Sequence, residues 1–142
     1  MNNIYFFKED YKIDLRKLRN HKNWLHKIAN SYDYKITEIN YIFCSDEYLH
    51  KINLEYLNHD TYTDIITFDL KEVSEAENTI EADIFISLER VNENAIKLEI
   101  SKEKELARVM AHGLLHLMGF RDKTEAEKIE MRVEENKAIE LL

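Results

Sequence analysis

The chain has 142 residues, 44% hydrophobic and 34% charged, with a net charge of −8. That is long enough for one domain with a real core, and too apolar for a disordered chain. The acid excess argues against an extended basic surface that grips nucleic acid, though a local one stays open.

No window approaches the ~18 consecutive apolar residues of a membrane span. The opening MNNIYFFKEDYK lacks a basic segment followed by a long apolar run, so a cytoplasmic protein without a signal peptide or membrane partner is expected. Cys44 is the one cysteine and sits in the apolar run YIFC. That excludes a disulfide framework and predicts a buried, inert thiol. With no proline and two glycines, helix ends must rely on side-chain caps.

Residues 3–7 predict a short strand. Asp14–Ser31 reads as one helix capped by Asp14, with Leu15, Leu18, Leu25, Ile28 and Ala29 as its stripe. Residues 35–44 predict a strand, and Ser45 caps a helix through Tyr56. DIITFDL at 64–70 is a second β-branched strand, 71–79 an acidic turn, and 80–87 a strand with Ala82, Ile84 and Ile86 on one face. A helix follows from Leu88 to about Leu98. Ser101 caps the next, which runs to about Met118 and is apolar nearly all round in its second half. Thr124 and Glu127 form a capping box for the last helix, with Ala126, Ile129 and Val133 as its expected stripe. The fold class is therefore α+β (mixed α/β): a single domain over 1–142, one four-stranded mixed sheet packed against about five helices.

His112 and His116 are four apart, which on a helix sets both imidazoles on one face, close enough to share an ion. Two buried histidines satisfied by hydrogen bonds are the plainer alternative. Both glycines, Gly113 and Gly119, fall in the same segment, HGLLHLMGFRD. Glycine inside a helix costs ~1 kcal/mol against alanine, so Gly113 suggests a close approach by another backbone or a substrate. Gly119 sits where a left-handed residue ends a helix. The turn then carries Asp122 back toward the histidine face. Two imidazoles and one carboxylate leave a fourth position for water, the layout of a catalytic zinc site. The expectation is a metal-dependent hydrolase with one zinc ion per chain, held by His112, His116 and Asp122. For Asp122 an ordinary capping role is the alternative.

Zinc peptidases place a glutamate base after the first histidine; here that position is Gly113. A peptidase-like hydrolase would need a base from elsewhere. Non-haem iron oxygenases share the donor set but usually build it on a β-barrel, for which this chain has too few strands.

HGLLHLMGFRD resembles the H-G-x-L-H-L-x-G-Y-D-H signature of the YbeY family of rRNA-maturation endoribonucleases. His112 and His116 fall on the first two ligands, and Asp122 on the third, where the common motif has histidine. Asn53–Phe68 (NLEYLNHDTYTDIITF) is similar to the family's L-N-x-x-Y-R-x-x-D-x-P-T-D-V-L-S-F segment. EADIFIS resembles its G-D-I-x-I-S strand, and the last helix fits through Met131 and Glu134. The resemblance covers roughly residues 50–142. It implies a cytoplasmic, zinc-dependent, single-strand endoribonuclease that processes the 3′ end of small-subunit rRNA and acts in ribosome quality control. Its partners would be rRNA and ribosomal particles, and the metal helix would sit at the centre of a mixed sheet. An assembly factor with little catalytic activity is the other reading. The motif's RNA-engaging arginine is Leu57 here, and leucine cannot bind phosphate. Arg90 and Arg121 are the candidate cations in its place. Asn53, Thr63 and Asp64 are expected in structural roles, Asp64 with a possible bond to a metal ligand. His21, His26, His50 and His59 are expected to be solvent-exposed.

Overall fold

The structure is a computed structural model that describes residues 3–73 and 76–142. Four strands form one mixed sheet: β1 (Ile4–Lys8), β2 (Lys35–Cys44), β3 (Ile65–Asp69) and β4 (Thr79–Ser87), in the order β1-β2-β4-β3. β1, β2 and β4 are parallel, and β3 closes one edge antiparallel to β4. Five α-helices surround the sheet: α1 (His21–Ser31), α2 (Asp46–Leu57), α3 (Leu88–Leu98), α4 (Lys102–Leu117) and α5 (Glu125–Glu140). Ser45, Ser87, Ser101 and Thr124 cap α2 to α5 through side-chain bonds to backbone amides, which is how a chain without proline sets its helix starts. Ser74 and Glu75, within the expected acidic turn, lie outside the described residues.

The alternation of β2 and β4 splits the core. Tyr41 and Phe43 pair in register with Ile84 and Ile86, and this face packs against α1 and α4. The opposite face sets Cys44, Ile66, Phe68 and Phe85 against Leu49 of α2. Cys44 is fully buried, and that burial, with Asp10 nearby, pushes its thiol up to about 12; it is inert, as expected.

α4 lies across the first face and is the central helix. The fully buried Tyr41 hydroxyl donates to the Met110 carbonyl at 3.0 Å, fixing helix to strand. Gly113 is where the helix presses on the sheet: a Cβ there would sit 2.9 Å from Ile65 Cδ1 and 3.3 Å from Ile84 Cδ1. The close approach read from this glycine is therefore by side chains of β3 and β4, not by substrate.

Three expectations are corrected. The helix expected over 14–31 is broken. Asp14 accepts from the Arg16 amide at 3.1 Å and caps a separate 3-10 turn, Leu15–Leu18, before α1 begins at His21. Leu15 and Leu18 are three apart, so a 3-10 turn eclipses them onto the core without a full helix. The stripe expected on α5 faces outward, with Ile129 65% and Val133 44% exposed and Ala126 also exposed. The buried face is Met131, Glu134, Glu135 and Ala138, because two of its carboxylates have partners in the core. Of the histidines, His59 is exposed, but His21, His26 and His50 are half-buried. His21 lies edge-on to Trp24, and burial lowers the pKa of both His21 and His26. His50 stacks on Tyr62 with ring centroids 4.2 Å apart and meets Asp60 at 2.8 Å.

If the spacing of α4 from the sheet depends on a bare α-carbon, Gly113→Val overpacks the contact and destabilises the fold by ~1–3 kcal/mol. Denaturant titration measures this; an unchanged midpoint would contradict it.

Candidate metal centre

His112 and His116 occupy successive turns at the C-terminal end of α4, their ring centroids 4.5 Å apart. Gly119 ends the helix at φ +99°, donating its amide to the His116 carbonyl at 3.0 Å, while Phe120 reaches the Leu115 carbonyl at 3.1 Å. A side chain is strained at such a φ, so glycine is what lets the chain reverse there. Three residues on, Asp122 comes back over the helix end. Its Oδ2 is 3.3 Å from His112 Nε2 and 3.4 Å from His116 Nε2. One donor atom from each residue lies within 4.8 Å of the others, and all three residues are half-buried.

The tautomer of His112 is set from behind. Its Nδ1 meets Glu135 Oε2 at 2.6 Å, and Glu135 is only 2% exposed. An imidazole that donates through Nδ1 keeps the Nε2 lone pair for an ion. Glu135 also accepts from Arg108 Nη1 at 3.1 Å. Arg108 in turn donates Nε to Glu105 Oε1 at 2.8 Å and Nη2 to Glu105 Oε2. Glu105 is fully buried. Burial opposes ionisation of Glu135, but the His112 bond and the Arg108 charge overcome it and hold its pKa below the usual carboxylate value. Burial likewise opposes the charge on Arg108, and the Glu105 and Glu135 carboxylates raise its pKa above the usual guanidinium value.

Asp64, at the start of β3, lies on the other side. Burial pushes its carboxyl up, against the opposing pull of Arg108 and His112. Its carbonyl accepts from the Ser87 amide at 2.9 Å, which ties β3 to the end of β4. Asn53 is a loop organiser: 4% exposed, its amide donates to the Thr61 carbonyl at 2.9 Å and hydroxyl at 3.1 Å. Its carbonyl accepts the His59 amide at 3.1 Å. Thr63 makes a local bond to the Ile65 carbonyl at 3.4 Å.

Together these residues line a cleft of ≈ 630 Å³ that opens onto His112, His116 and Asp122, with Leu57, His59 and Asp64 in its walls. Neither arginine candidate lines it. Arg90 Nη2 pairs with Asp46 at 2.8 Å, and its guanidinium lies over the Tyr62 ring. Arg121 is exposed in a separate depression with Glu127 and Glu130. Thus the structure gathers His112, His116 and Asp122 and leaves Arg90 and Arg121 outside. Sequence reasoning missed Glu105, Arg108 and Glu135. The signal was there in part: Glu105, Arg108 and His112 are three and four apart, charged residues on one face of an otherwise buried helix.

A family model described as Endoribonuclease YbeY matches residues 3–142. The chain belongs to the YbeY family. A relative from Cytophaga hutchinsonii, itself called Endoribonuclease YbeY, is 51% identical over 97% of this chain and 94% of its own length. One from Christiangramia forsetii, of the same name, is 49% identical over 97% and 93%. The fold matches a solution structure of a Thermotoga maritima protein with a TM-score of 0.68 at 27% identity, covering 97% of this chain and 87% of that one. YbeY membership thus extends the resemblance seen in the sequence from residues 50–142 to nearly the whole chain.

Glu135→Ala would leave Arg108 and His112 without their shared partner in the interior. Breaking a buried pair in this way costs ~3–5 kcal/mol, measurable by chemical denaturation; a loss under ~1 kcal/mol would contradict the linkage. Because folding favours ionised Glu135, its contribution is complete above the carboxylate range and disappears as pH falls through the lowered pKa.

Proposed function

We propose that this chain is a metal-dependent endoribonuclease that cuts single-stranded RNA, acting in the cytoplasm on the 3′ end of small-subunit rRNA and in ribosome quality control. Family membership supplies the endoribonuclease activity itself, a hydrolase acting on RNA. The single observation that supports the metal is convergence: two imidazole Nε2 atoms meet one carboxylate oxygen at 3.3 and 3.4 Å, with Glu135 holding His112 in the tautomer a ligand needs. His112, His116 and Asp122 would hold one zinc ion, which when bound supplies a water of pKa ~7 and a Lewis acid for a phosphoryl oxygen.

The rest of the chemistry falls to the chain's own groups. The cleft is open and large enough for a strand to lie against β3. Asp64, whose carboxyl is pushed up by burial against the pull of Arg108 and His112, lines the cleft wall beside the two histidines. Leu57 lines the cleft in place of the family arginine, so the RNA backbone must find its cations beyond the cleft. Arg121, exposed and adjacent in sequence to Asp122, is proposed to meet the strand as it leaves. Arg90, engaged by Asp46 and Tyr62, is proposed to act by holding the loop over 58–64. The peptidase reading is not favoured: the residue after His112 is Gly113, which presses on Ile65 and Ile84 and leaves no room for a glutamate base. Among the described residues no helix is long and apolar enough to cross a membrane.

Purified protein should cleave unstructured RNA, lose activity with chelator and regain it with zinc. Asp122→Ala should fold normally, since the residue lies in a turn outside the core, yet retain well under half the parental zinc by elemental analysis. Parental zinc content in that variant would remove Asp122 from the ligand set. Asp122→His should keep the ion.

A further inference from the structure

In a chain of net charge −8, residues 11–27 carry six lysines and arginines against a single acid, Asp14. The structure gathers four of them, Lys12, Arg16, Lys17 and Arg19, around the 3-10 turn, while Lys22 lies over the Phe6 ring. Arg16, Lys17 and Arg19 line a depression of ≈ 390 Å³ on the 3-10 turn. Lys17 also lines a neighbouring groove of ≈ 290 Å³, which has Lys12 and Lys102 on its rim and Tyr11, Ile13, Leu88 and Val91 among its apolar walls. The acids here are Asp14, which Arg16 engages at 3.0 Å, and Glu103 in the first turn of α4. Among the described residues, Lys12, Lys17 and Arg19 have no side-chain ion pair, and all three are exposed.

A cationic rim beside an apolar slot with an aromatic wall suits one ligand chemistry: a nucleotide of single-stranded RNA, its phosphate on the lysines and its base against the slot. Among the described residues the cleft lining includes no lysine or arginine, whereas this groove has three lysines in its lining. α4 spans both places. Lys102 and Leu106 wall the groove, His112 and His116 the cleft, and Leu106 and His112 are ~9 Å apart along the helix axis at 1.5 Å per residue.

We propose that the groove between the 3-10 turn and the starts of α3 and α4 is a second RNA-binding site, which captures the strand at Lys12, Lys17 and Lys102 while the metal cleft holds another part of it. This rests on the endoribonuclease reading, but its test does not require cleavage. Fluorescence anisotropy in the presence of chelator would compare a labelled long single-stranded RNA with an oligonucleotide too short to reach both sites. The parent should bind the long RNA at least tenfold more tightly. In Lys12→Glu/Lys17→Glu that advantage should vanish, and the slope of log affinity against log salt should become shallower by ~1.4, two phosphates at about 0.7 each for a single strand. Both substitutions are on exposed residues, and circular dichroism verifies the fold. An equal length advantage in parent and variant, or none in the parent, would overturn the proposal. RNA that binds with the expected length dependence but is never cleaved in zinc would instead count against the metal-dependent reading alone.

Discussion

The bond between His112 Nδ1 and Glu135 is the constraint around which this molecule is arranged. It joins α4 to α5, sets the imidazole tautomer and requires a carboxylate in the interior. A lone buried carboxylate would be expensive, so Glu135 is shared with Arg108, and Arg108 is balanced by Glu105. Net, such a chain of charges adds little stability over apolar packing, but removing any one member leaves the others uncompensated. Its effect is to fix where His112 points. The orientation of α5 follows: to present Glu135 to His112 and Glu134 to the Tyr32 hydroxyl, the helix turns a face with two carboxylates inward and leaves Ile129 and Val133 toward solvent.

That arrangement explains what was legible in the sequence. Strands and most caps are legible because they are local: alternation in β4, and Ser45, Ser101 and Thr124 before α2, α4 and α5, act on their immediate neighbours, whereas the Ser87 cap of α3 sits inside what reads as strand. The His112–His116 pair and the Gly119 reversal were legible for the same reason, and they brought Asp122 into the candidate site. The face of α5 was not, because its burial is decided by partners on α4 and α1, not by its own apolar period. The break after Leu18 was hidden because three-residue spacing fits a 3-10 turn as well as a helix. His50 looked like a surface residue until the Tyr62 ring and the Asp60 carboxylate came to it across a loop. Gly113 was rightly read as a close approach, but what approaches is Ile65 and Ile84.

The same architecture separates the chemistry from the charge. At the cleft, Leu57 and neutral Asn53, Thr61 and Thr63 line the walls beside His112, His116 and Asp122. Arg108 sits behind His112 with its guanidinium occupied by two carboxylates, and Arg90 is paired with Asp46. These two buried or paired arginines are thus structural, whereas Lys17 on the 3-10 turn and Lys12 and Arg19 beside it are exposed and have no ion pair among the described residues. An acidic protein can still bind a polyanion when attraction is local and short-ranged, since surface charges farther off are screened within ~8–10 Å at ordinary ionic strength.

His112, His116 and Asp122 are proposed as one ion site whose geometry Glu135 sets from behind. Diffraction from zinc-loaded crystals, recorded across the zinc absorption edge, tests it most directly. One anomalous peak per chain is expected at ~2.0–2.2 Å from His112 Nε2, His116 Nε2 and an Asp122 oxygen, with Glu135 still on His112 Nδ1. A peak elsewhere, or one in which Glu135 rather than Asp122 binds the ion, would contradict it.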